Sequence, residues 1–81
     1  MRLDKFLKVS RLIKRRTVAA SVAETGRILV NGNPAKPAKK LNVGDTIEIE
    51  YSNRTEKFEI LIVPEGNVSI QDAPTLYKII E

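Results

Sequence analysis

The chain has 81 residues, 42% hydrophobic and 30% charged, which suits one small folded domain and argues against disorder. It contains no Cys and no His, so disulfide bracing and the usual zinc ligands are excluded. The net charge of +4 hides a polarity: Met1 to Lys40 carries eleven cations against Asp4 and Glu24, whereas Leu41 to Glu81 carries three against eight acidic residues.

From the N-terminus, Leu3, Phe6 and Leu7 fall at i, i+3 and i+4 and predict one buried helical face, with Asp4, Lys5 and Lys8 pointing elsewhere. Asp4 in the first turn suits the positive end of the helix dipole. The charge interrupting this segment removes any apolar core of an export signal, and no run reaches the ~20 apolar residues of a bilayer span. A soluble, cytoplasmic protein is expected. Leu12-Ile13 links to a second helix starting at Arg15 or Arg16, with Val18, Val22 and Ala23 as its apolar stripe and Gly26 as its stop.

Arg27 to Val30 reads as a strand, Asn31-Gly32 as a hairpin turn, and Asn33-Pro34-Ala35 as an edge strand. After the turn at Val43-Gly44-Asp45, Thr46 to Tyr51 alternates strictly, with Ile47, Ile49 and Tyr51 inward. A further strand is expected from Thr55 to Val63, its apolar end Ile60 to Val63 forming a strand core. Beyond it, Val68-Ser69-Ile70 is compatible with extended chain, and Asp72-Ala73-Pro74 looks like a helix start capped by Asp72. Leu76 to Ile80 continues that helix or closes the sheet; the pattern allows both. The predicted class is α+β, a helix pair packed on a small antiparallel sheet with a short C-terminal element.

Arg2, Lys5, Arg11, Lys14, Arg15 and Arg16 come from two helices and their loop, and share an exposed side if the apolar faces pack inward. Acidic i,i+4 partners are nearly absent from this half, so the array reads as a polyanion-binding face rather than a solvated one. Arginine forks pair bidentately with phosphate and stack on bases. At Lys14-Arg15-Arg16-Thr17, a helix N-terminus adds backbone donors, and Thr17 is also a plausible cap. Arg27 either extends the cationic face or serves the strand start alone. Lys36, Lys39 and Lys40 either touch phosphate or solvate a loop. Of the four aromatics, Phe6, Phe58 and Tyr51 sit at core phase, which disfavours a platform for splayed bases and points to folded RNA read by shape and backbone. No P-loop and no Gly-x-Ser-x-Gly is present, and the alternating acids of the second half look like a solvated sheet face, so no enzyme and no cofactor is expected.

Arg2-Leu3-Asp4-Lys5-Phe6-Leu7, Lys14-Arg15-Arg16-Thr17, Gly26 to Gly32 and Val43-Gly44-Asp45-Thr46-Ile47 together resemble the RNA-binding domain first defined in ribosomal protein S four. The resemblance spans residues 1–51, with 52–81 completing the same domain, and implies an αL-motif RNA-binding fold. Within that family the first nineteen residues look most like the RqcP group of bacterial ribosome-associated quality control factors. They are also similar to the heat-shock protein fifteen group, whose basic C-terminal extension has no counterpart here.

The resemblance implies binding to large-subunit rRNA and peptidyl-tRNA on a stalled large subunit, alongside an RqcH-type factor that recruits alanyl-tRNA for alanine tailing. It implies no membrane partner and a monomer off the ribosome. It singles out Arg2, Asp4 and Arg16 as RNA contacts, with Lys5 and Arg15 beside them. Asp4 cannot bind phosphate; it orients an arginine, accepts from a base amino group or ribose hydroxyl, or is only a helix N-terminal charge. Rival readings are an enzyme fragment, since such domains also occur fused to pseudouridine synthases and tyrosyl-tRNA synthetases, and a protein-interaction module using the acidic face.

Overall fold

The computed structural model describes residues 1–80; Glu81, counted above in the acidic half, lies outside the described residues. The elements are α1 (Leu3–Val9), α2 (Arg16–Glu24), β1 (Ile28–Val30), β2 (Asn33–Pro34), β3 (Thr46–Glu50), β4 (Thr55–Ile60), a 3-10 turn (Ala73–Leu76) and β5 (Tyr77–Ile80). The strands form one antiparallel sheet in the order β2-β1-β3-β4-β5, so the α+β expectation holds.

Register explains the core. Ile28 faces Ile49, Val30 faces Ile47, and Ile47 faces Phe58, which puts these side chains and Ile60 on one face. All are buried, together with Leu3, Phe6 and Leu7 of α1. On the opposite face the cross-strand partners Glu48 and Lys57 form an ion pair at 3.5 Å, and Glu59 and Lys78 one at 3.6 Å. The alternating acids of the second half are thus a solvated, charge-laddered surface.

The α2 stripe is one residue off expectation. Ala19 and Ala23 are the buried positions, while Val18 is 46% exposed. At 100° per residue Val18 sits far round from a seam centred on two alanines, whose small side chains let α1 and α2 approach closely. At the hairpin, Asn31 (φ 52°) and Gly32 (φ 86°) occupy two consecutive left-handed positions, as a type I′ turn requires. The Asn31 side chain also accepts from the Thr46 N–H at 3.0 Å and donates to Asp45 at 3.1 Å, which joins the turn to the start of β3.

The C-terminal third departs from expectation at the end of β4 and at Asp72, and decides what the pattern leaves open in between and beyond. β4 stops at Ile60, because the N–H groups of Leu61 and Ile62 both reach the Leu76 carbonyl. Successive N–H groups of a strand point to opposite sides, so the ladder cannot continue there. Leu61 and Ile62 are accordingly exposed, not a strand core. Val68 to Ile70 forms no strand. Asp72 precedes the 3-10 turn, but its carboxylate makes no cap; its carbonyl instead accepts from the Thr75 hydroxyl at 2.6 Å. Tyr77 to Ile80 resolves as a strand that pairs with β4, with the Tyr77 ring edge-on to Phe58 at 5.3 Å. Tyr51, placed inward by alternation, lies just past β3 and is only half-buried.

Truncating the centre of the sheet should be expensive and trimming its frayed end cheap. In urea titrations Ile47→Ala is expected to cost about 2–5 kcal/mol, and Ile62→Ser no more than about 0.5 kcal/mol.

Candidate nucleic-acid interface

Arg2 sits immediately before α1, Asp4 is its second residue, and Arg16 is the first residue of α2. Packing the Leu3–Leu7 stripe against the core carries Asp4 inward with it. Asp4 is only 4% exposed, contrary to its expected outward direction, whereas Lys8 is exposed and Lys5 half-buried. A carboxylate so placed needs donors, and it has them. Its Oδ1 accepts from the Lys5 N–H at 2.8 Å and from Arg2 Nε at 3.2 Å. Its Oδ2 accepts from Arg2 Nη2 at 3.3 Å and lies 3.4 Å from Arg16 Nε, with Arg16 Nη2 3.5 Å from Oδ1.

Asp4 therefore holds two guanidiniums that would otherwise repel each other. Both side chains stay about half exposed, at 53% and 46%. Each guanidinium has five N–H donors, so donors remain on each after the carboxylate is satisfied. The three side chains carry a net single positive charge on a fixed frame.

The chain after β2 completes one edge of this frame. The N–H groups of Leu3 and Asp4 donate to the carbonyls of Lys39 (2.8 Å) and Pro37 (3.1 Å), and Arg2 pairs with Lys40 as an isolated antiparallel bridge. Backbone carbonyls thus satisfy the first turn of α1, and Lys39 and Lys40 are placed beside Arg2. Lys36 separates from them and pairs with Glu24 at 3.8 Å. No sequence motif signals this crossing, since backbone carbonyl acceptors leave no side-chain signature.

Arg11, Lys14 and Arg15 are exposed in the loop between the helices. Arg11 ends α1 with φ 61°, a left-handed position that helices usually give to glycine. Arg15, in extended conformation, is the residue preceding α2, and no side chain caps that helix, so Thr17 is not its cap. Arg27 is not part of the Asp4 cluster; it is exposed and lines a cleft between α2 and the β3–β4 turn.

Charge pairing separates the two halves. Arg54, Lys57 and Lys78 each pair with a glutamate. Among the described residues Lys5, Lys8, Arg11, Lys14, Arg15, Arg27, Lys39 and Lys40 form no ion pair. The acidic half neutralises its own cations, and the basic half leaves most of its cations unpaired.

The S4 domain family matches residues 1–47, the stretch that holds α1, α2, β1, β2 and the start of β3. A protein of Halalkalibacterium halodurans named RQC P-site tRNA stabilizing factor is 52% identical over 98% of this chain and 89% of its own length. The chain belongs to this S4-domain family. A Bacillus subtilis protein of the same name is 41% identical over 100% of the chain and 93% of its own length. The trimeric structure of Vibrio cholerae Heat Shock Protein 15 superposes with a TM-score of 0.89 at 29% identity, covering 99% of this chain and 81% of that one. The relation to the S four type of domain read from the sequence motifs, and to both of its subgroups, is borne out.

Arg11 provides a test of the interface that separates stability from binding. Arg11→Gly relieves the left-handed strain and should raise stability by about 1 kcal/mol. The same variant should bind structured RNA more weakly than the parent. Urea unfolding and RNA titration read the two effects.

Proposed function

We propose that the chain is a non-enzymatic RNA-binding factor that works on the stalled large ribosomal subunit in ribosome-associated quality control. In this reading it contacts large-subunit rRNA and peptidyl-tRNA, and supports alanine tailing alongside an RqcH-type factor. Residues 1–51 supply the RNA-binding face and 52–81 complete the same domain.

The observation that carries the reading is the Asp4 frame: two half-exposed arginines held by one buried carboxylate, amid cations without ion pairs. Fixed guanidinium forks suit phosphate oxygens of folded RNA, whose A-form backbone is recognised by shape. Arg2 and Arg16 bind RNA directly, and Lys5, Arg11, Lys14 and Arg15 add phosphate contacts. Asp4 acts through the two arginines. Arg27 stands apart, so its contact is with a different part of the RNA. The names of the relatives support the ribosomal setting. A stress factor of the heat-shock protein fifteen type, binding structured RNA or the large subunit, would use the same face, and the likeness to the Vibrio cholerae structure keeps that second reading in view.

Sucrose-gradient sedimentation tests the proposal. The protein should run with large subunits at moderate salt, and Arg16→Ala should abolish this while leaving the circular dichroism spectrum intact. With six phosphates neutralised, the log–log salt slope of binding should be roughly −4 to −5. Absence from large-subunit fractions would contradict the reading.

A further inference from the structure

The cleft that Arg27 lines has a volume of about 540 Å³ and runs between the α1–α2 loop, α2 and the β3–β4 turn. Leu12, Val18 and Val22 supply an apolar wall, and Tyr51 lies opposite on the sheet side. Arg27 and Arg54 contribute two cations; Glu50 lines the same cleft and Glu56 pairs with Arg54, which among the described residues leaves Arg27 as the cleft's cation without an ion pair. This explains why Val18 is left uncovered: it belongs to a concave surface rather than to the helix seam.

Arg54 has a particular geometry. Its guanidinium carbon lies 4.7 Å from the centroid of the Tyr51 ring, and its Nη2 is 3.7 Å from Glu56 Oε1, which orients the group. The side chain remains 59% exposed, so the guanidinium face away from Tyr51 is open. A planar cation backed by an aromatic ring, beside an apolar wall, is a stacking surface for one flat heterocycle. Burial, and secondarily the Glu56 charge, raises the Tyr51 pKa, so the ring backing the cation stays neutral.

Resting on the RNA-binding reading above, we propose that this cleft takes a single unstacked nucleobase of the bound RNA, stacked on Arg54. Two observations favour RNA over an apolar protein segment. Arg27, which forms no ion pair among the described residues, leaves an unneutralised cation on the cleft wall, and the open face of the Arg54 guanidinium suits a flat heterocycle better than an aliphatic side chain. The interface is then bipartite. The Asp4 frame grips backbone, and the cleft selects for a base free to leave its stack. One such position is compatible with the shortage of exposed aromatics, which rules against a platform for several bases.

Two RNA hairpins, identical except that one carries a single bulged 4-thiouridine, test this. The protein should bind the bulged hairpin about five-fold or more tighter, and ultraviolet cross-linking should attach the bulge to the peptide containing Tyr51 and Arg54. Arg54→Ala and Arg54→Lys should both erase the preference while leaving affinity for the paired hairpin within about two-fold, because lysine keeps the charge but not the plane. Equal binding of the two hairpins by the parent, a preference preserved in Arg54→Lys, or cross-links confined to other residues would overturn the base site. The last of these would leave the cleft to a protein partner. Loss of binding to both hairpins would instead indict the underlying RNA-binding reading.

Discussion

The Asp4 carboxylate lies almost wholly out of water beneath the first turn of α1, and the arrangement of the basic face follows from that. An unpaired buried carboxylate costs several kcal/mol, so the chain must bring donors to it. One is the Lys5 N–H, and the others are guanidiniums from either side: Arg2 just before α1 and Arg16 at the head of α2. Satisfying one buried anion thereby sets the relative placement of two cations fourteen residues apart in sequence. Because the arginines are about half exposed, solvent screens the pairs, and their value lies less in stability than in geometry.

The rest of the fold serves that geometry. The antiparallel sheet buries Ile28, Val30, Ile47, Ile49, Phe58 and Ile60 against the helices, which keeps α1 and α2 in register with each other. The crossing of residues 37–41 over the start of α1 ties its first N–H groups to Pro37 and Lys39 and leaves the arginine side chains free to face outward from that end. The far side of the sheet is laddered with its own salt bridges and makes no demand for a polyanion. Like charges gathered on one face destabilise a small domain, and a phosphate backbone would relieve that repulsion.

Much of this was legible in the residues. The Leu3-Phe6-Leu7 spacing, the Asn31-Gly32 turn and the Ile47-Ile49 alternation each contain their own period or dihedral demand, and each element formed where expected. The basic array was visible as composition. What could not be read was long-range. Asp4 looked solvent-facing because helical phase places it only one step from Leu3, and nothing local says that an arginine fourteen residues from Arg2 will close over it. Hydrophobicity alone directs Val18 and the Leu61-Ile62 pair inward, yet one lines a cleft, and the others lie where two N–H groups converge on one carbonyl. Tyr77 to Ile80 was ambiguous because a short apolar run has no period of its own; pairing with β4 decided it.

The central claim is that Asp4 acts on RNA through Arg2 and Arg16, and a double-mutant cycle measures this directly. Affinity for purified large ribosomal subunits would be compared for the parent, Asp4→Ala, Arg16→Ala and the double variant. If the carboxylate positions the arginine, Asp4→Ala weakens binding despite removing a negative charge, and the double variant falls well short of the summed losses, with a coupling of about 0.5–3 kcal/mol. Additive losses, or tighter binding by Asp4→Ala, would show that the carboxylate merely opposes the phosphate and does not hold the arginines for it.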